Sequence, residues 1–73
     1  MAMEIVKIST ESITLGQFLK YAGIAGTGGE GKEMIQQGLI LVNGETVRAR
    51  SRSLKAGDEI QAEGGKLYVI SRE

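Results

Sequence analysis

Asn43-Gly44 stands inside the run LILVNGETV, and no other pair commits the chain so firmly to one local topology. A two-residue type I′ turn needs positive φ at both positions, which asparagine and glycine tolerate. Ile40, Leu41 and Val42 precede the pair and Thr46 and Val47 follow it, so the segment is predicted to be a tight β-hairpin. A second hairpin is predicted in EIQAEGGKLYVI around Gly64-Gly65, and a short strand in residues 3–8, MEIVKI.

The intervening chain carries helical punctuation. Thr14 and Gln17 form a T-x-x-Q capping box, and Ile13 and Phe18 have the spacing of a hydrophobic staple. Leu15, Phe18, Leu19 and Ala22 then fall on one helical face, and Gly23 supplies a stop, so a helix is expected over 15–22. Thr27 and Glu30 make a second box, T-x-x-E, opening a helix from Gly28 to about Gln37. Gly38 closes it in left-handed geometry, with Leu39 reaching back to Met34. Helices followed by strands give an α+β class: two short helices packed on a small, mostly antiparallel β-sheet.

The chain has 73 residues, so residues 1–73 are read as a single domain. There is no cysteine and no histidine, which removes disulfides, thiolate metal sites and the commonest general base. With one aspartate as well, no catalytic pair is evident, and neither enzyme activity nor a cofactor is expected. No apolar run approaches the roughly 18–20 residues of a membrane span, and MAMEIVKIST has no secretory-leader pattern. The expectation is a cytoplasmic protein with no membrane partner, monomeric by preference.

Residues 26–33, GTGGEGKE, nearly match two phosphate-binding motifs. Gly26, Gly28 and Gly31 satisfy G-x-G-x-x-G; Gly26, Gly31 and Lys32 satisfy the Walker pattern until Glu33 replaces its hydroxyl. Both motifs must follow a strand, and here a helix precedes the stretch, so a nucleotide site is rejected. The underlying physics remains. Thr27, Gly28 and Gly29 would form a helix N-terminus with outward N–H groups, no side chains on the glycines, and Lys32 one turn in. The glycines would equally permit close packing of the two helices, and the two readings are compatible.

Charge is balanced overall, but ETVRARSRSLK holds Arg48, Arg50, Arg52 and Lys55 against Glu45 alone. In an extended chain the alternate arginines would share a face about 7 Å apart, given a rise of roughly 3.3 Å per residue. That spacing suits successive phosphates of a nucleic acid. The bland alternative is a solvated loop whose arginines pair with Glu45, Glu59 or Glu63. Tyr21 lies off the apolar face beside Lys20, where it would either stack on a base or pack half-buried.

The order TLGQFLK, GGEGK, VNGE and an arginine-rich run before LKAGDEI resembles the RNA-binding domain of small-subunit ribosomal protein four, the αL motif. Its short YaaA-type subfamily, without an enzymatic partner domain, looks closest. The resemblance spans residues 13–60. It implies a bacterial, non-catalytic domain that binds structured RNA, either ribosomal RNA or a ribosome-assembly intermediate, with ribosomal particles as further partners. Carried over residue by residue, the RNA surface would include Lys20, Thr27, Gly28, Lys32 and residues 48–52; the reading of the residues adds Gly29 and Lys55. Many members carry an arginine early in the second helix where this chain has Gly28, which predicts weaker binding there or recognition by backbone N–H groups. Two rivals stand beside it. A β-grasp sulfur carrier would need Gly64-Gly65 at its extreme C-terminus, whereas KLYVISRE follows here. A protein-interaction module would bind with little salt dependence.

Overall fold

The computed structural model describes residues 3–62 and 64–73. Its elements run β1 (Met3–Ile8), β2 (Ile13–Thr14), α1 (Leu15–Tyr21), α2 (Gly28–Gln36), β3 (Leu41–Val42), β4 (Glu45–Thr46), β5 (Ser53–Leu54), β6 (Glu59–Gln61) and β7 (Leu67–Arg72). A five-stranded sheet has the order β1-β7-β6-β3-β4, and β2 with β5 forms a separate two-stranded ribbon. Among the described residues, only the β1–β7 pair is parallel; the other pairs are antiparallel. The α+β expectation is met.

Local chemistry explains the elements. In α1, Thr14 Oγ1 accepts from the Gln17 N–H and Gln17 Oε1 accepts from the Thr14 N–H, so both arms of the first capping box form. Gly23 follows with φ 76°, and the Gly23 and Ile24 amides donate to the Lys20 and Leu19 carbonyls in a Schellman closure. The α2 helix ends the same way. Gly38 has φ 75°, and the Leu39 N–H donates to the Met34 carbonyl at 3.1 Å. Its start differs from expectation. Thr27 Oγ1 accepts from the Glu30 N–H, but the reciprocal bond is absent among the described residues, so half the box forms. Asn43 and Gly44 have φ 52° and 86°, as a type I′ hairpin requires.

The helices cover one face of the sheet. Val6, Ile8, Val42, Ile60, Tyr68 and Ile70 point inward and meet Leu15, Phe18, Leu19 and Ile35, all buried. Phe18 is fully buried and meets Tyr68 edge-on, with ring centroids 6.3 Å apart. Gly31 of α2 faces α1: a Cβ there would lie 3.4 Å from that of Ala25 and 3.7 Å from that of Leu19, ordinary contact distances. The Gly64-Gly65 pair sits between antiparallel β6 and β7 with φ 90° and 85°, which accounts for both glycines as turn residues.

The β2–β5 ribbon was not legible in the sequence, where residues 48–58 read as a connection. Two residues per strand leave no period to detect. Leu54 is nonetheless fully buried, and its strand ties the end of the basic segment to the residues that open α1.

Candidate nucleic-acid interface

The basic segment does not run straight. The Arg52 N–H donates to the Ala49 carbonyl at 3.1 Å, closing a turn over residues 49–52. The extended row of three evenly spaced guanidiniums is therefore replaced by a compact bend. The cause lies in α1. A helix leaves its first amides without intrahelical acceptors. Here the Leu15 N–H donates to the Arg52 carbonyl at 2.8 Å and the Gly16 N–H to the Arg50 carbonyl at 3.0 Å. The turn thus docks by its backbone onto the first turn of α1 and leaves the arginine side chains outside.

Gly16 stands at that docking contact. A Cβ at Gly16 would stand 3.4 Å from Arg50 Cβ and 3.5 Å from the Arg50 carbonyl oxygen. Beside this contact lies an open cleft of about 360 Å³, lined by Thr14, Gly16, Gln17, Lys20, Gly28, Arg50 and Ser51. Three predicted residues from three separate parts of the chain thus meet: Lys20 from α1, Gly28 from the start of α2, and Arg50 from the turn. Gly16 and Gln17 were missed by sequence reasoning, whereas Ser51 falls within the span 48–52 that the resemblance implied. The signal for Gly16 was a glycine placed just inside a well-capped helix, a costly choice without a close neighbour.

The two helix N-termini differ. The first-turn amides of α1 are taken by Arg52, Arg50 and Thr14. In α2, Thr27 caps the Glu30 N–H, but among the described residues no protein acceptor takes the N–H of Gly28 or Gly29. Both glycines are exposed; a Cβ on Gly28 would meet nothing within 4 Å. The positive end of the α2 dipole therefore opens beside the cleft.

Other predicted residues fall around or away from this place. Lys32 is exposed on α2, one turn beyond the glycines. Arg52 is exposed beside β5, and Lys55 is exposed on the turn to β6, its N–H donating to Asp58 Oδ2 at 2.9 Å. Arg48 is drawn to the opposite end of α2, where Nη1 donates to the Gln36 carbonyl at 2.8 Å. At 1.5 Å per residue that end lies on the order of 12 Å from Gly28. Tyr21 is 61% exposed, but its hydroxyl donates to the Lys7 carbonyl on edge strand β1, and it does not line the cleft.

Ion pairs in the structure join Lys66 to Glu4 and Arg72 to Glu11. Among the described residues, none engages Lys20, Lys32, Arg48, Arg50, Arg52 or Lys55, so pairing with Glu45 or Glu59 does not occur; Glu63 lies outside the described residues. The cations around the cleft are therefore not neutralised by carboxylates described here. The arrangement suits an extended polyanion whose phosphates are met by side-chain charge and by backbone N–H groups.

The chain matches the family model of the S4 domain over residues 6–70, a wider span than the motifs alone had suggested. It is 42% identical over 67 residues to a protein of Bacillus subtilis (strain 168) described as a probable ribosome maturation protein, RlbA. That alignment covers 90% of this chain and 94% of the relative.

Proposed function

Because this chain belongs to the S4 domain family, we propose that it is a non-catalytic module that binds structured RNA, either ribosomal RNA or a precursor particle on the way to a ribosome. The observation that carries the reading is the convergence of Lys20, Gly28 and Arg50 on one open cleft. The ribosomal part comes from the relative's description as a ribosome maturation protein.

In this reading one phosphate docks at the bare amides of Gly28 and Gly29, capped at their edge by Thr27, while Arg50 and Lys20 hold its neighbours. Lys32 and Arg52 extend the positive surface, and Lys55 lies at its margin. Affinity is then dominated by phosphate neutralisation. Four contacts, from Lys20, Lys32, Arg50 and Arg52, give a log-log salt slope of about −3.

Crosslinking in cells followed by sequencing of the bound RNA identifies the ligand, and ribosomal sequences are the expected result. Purified protein is then titrated with that RNA over a range of salt. Replacing Lys20 and Arg50 together by glutamate is expected to abolish binding while leaving the melting temperature nearly unchanged, since both side chains are exposed. Full retention of binding by the double variant refutes the assignment of the cleft.

A further inference from the structure

We propose that Arg48 is not a phosphate ligand but a positioning residue, which latches the C-terminal end of α2 so that the turn over residues 49–52 is held against α1 with Arg50 in the cleft. The proposal rests on the RNA-binding reading for its consequence, though not for its geometry.

The last turn of a helix leaves carbonyls without intrahelical donors. In α2 the Gln37 N–H serves the Glu33 carbonyl, the Leu39 N–H serves Met34 and the Gly38 N–H serves Ile35. The Gln36 carbonyl is left, and Arg48 Nη1 takes it at 2.8 Å. A cation is the appropriate donor, because the negative end of the helix dipole lies there. Gly38 makes room for it. A Cβ at Gly38 would stand 2.8 Å from Arg48 Nη2 and 3.1 Å from its Cζ, so the guanidinium lies directly over the bare α-carbon. The glycine thus serves twice, as a left-handed helix stop and as the floor beneath the arginine.

Arg48 directly precedes the turn. Val47 before it is buried and its N–H donates to the Ile40 carbonyl at 3.2 Å. After the turn, Leu54 is buried and its strand pairs with β2. The Arg48 side chain is the link that ties the entry of the turn to α2, the helix whose N-terminus forms another wall of the cleft. Releasing it frees the turn from that helix without removing a charge from the cleft. An arginine devoted to phosphate would instead leave the Gln36 carbonyl to water and point its guanidinium outward.

The test has one arm that needs no RNA. Amide exchange is followed at Leu15 and Gly16, whose N–H groups report docking of the turn through the Arg52 and Arg50 carbonyls. The Ile70 amide, which donates to the Asp58 carbonyl in the sheet, is the reference for global opening. In Arg48→Ala, exchange at Leu15 and Gly16 is expected to accelerate by about tenfold relative to Ile70. Arg48→Lys, which retains one donor for Gln36, is expected to recover part of that protection.

The second arm titrates total bacterial ribosomal RNA against salt. Arg48→Ala is expected to weaken binding at every salt concentration with an unchanged log-log slope, whereas Arg50→Ala lowers the slope by about 0.7–0.9. Unchanged relative exchange in Arg48→Ala overturns the latch. A slope reduced by a full contact in Arg48→Ala also overturns it, because the residue then meets a phosphate. Wild-type protein that fails to bind the RNA refutes the proposed function instead, and the exchange arm still decides the latch.

Discussion

Replacing Gly28 and Gly29 together by alanine should make the protein more stable and worse at binding. Both residues lie in the first turn of α2, and neither has positive φ. A Cβ at Gly28 meets nothing within 4 Å, and one at Gly29 meets only Thr27 Oγ1 at 4.0 Å. Alanine thus fits without strain and reduces the freedom of the unfolded chain, a gain of about 0.4–1 kcal/mol per site. For a domain of this size each kcal/mol raises the melting temperature by roughly 4–8 °C. In the complex the sign reverses. Two methyl groups stand where a phosphate would approach the amides, and loss of one charge-assisted hydrogen bond weakens binding about tenfold or more. Thermal melts followed by circular dichroism read the first effect; RNA titration at fixed salt reads the second. A lower melting temperature would refute the open helical geometry assigned to the glycines. A higher one with unaltered affinity would show that phosphate does not dock on these amides.

Three further outcomes test other parts of the structure. Gly31→Ala is expected to change unfolding free energy by less than about 1 kcal/mol, because its Cβ reaches only ordinary contact with Ala25 and Leu19, while Gly31→Val overpacks the helix pair and costs about 1–3 kcal/mol in urea denaturation. Asn43→Ala places alanine at φ 52° and removes bonds to Asp58 Oδ1 and from the Glu59 N–H, a loss of about 2–3 kcal/mol by the same assay. The hydrogen bond that Lys66 donates to Glu4, reinforced by the charge of that carboxylate, raises the pKa of the Lys66 ammonium above its ordinary 10.5. Folding therefore strengthens its hold on the proton, so the stabilisation is complete below 10.5 and fades as pH passes through the raised value. Melting temperatures of wild type and Lys66→Met, compared from neutrality into the alkaline range, should converge there and not before.

Elements with a local cause were legible before any coordinates. The Thr14 and Gln17 box, the glycine stops and the Asn43-Gly44 turn each act over four to six neighbouring residues, so their chemistry survives in the linear text. The second box was only half legible: Thr27 forms its bond, but the returning arm depends on a rotamer of exposed Glu30 that spacing does not specify. The alternating arginines misled for a related reason. Period-two spacing puts side chains on one face only if the backbone is extended, and nothing within the segment says that it turns. The family resemblance implied residues 48–52 as one block, so it did not separate Arg50, which lines the cleft, from Arg48, which lies at the far end of α2.

By itself the sequence determined where the helices begin and end, where the hairpins reverse, and which face of α1 is apolar, because caps, positive φ and apolar period are properties of adjacent residues. Only the tertiary structure decided what the basic segment does. The amides of Leu15 and Gly16 and the carbonyl of Gln36 are unpaired within their own helices, and a distant stretch of chain supplies their partners. Satisfying those terminal polar groups bends the arginine run, diverts one guanidinium to the C-terminal end of α2 and leaves another beside the open glycine amides. That outcome follows from hydrogen-bond demands between parts of the chain that are not neighbours in order, Arg48 and Gln36 being 12 residues apart and the α1 amides and their acceptors farther still, which no local pattern records.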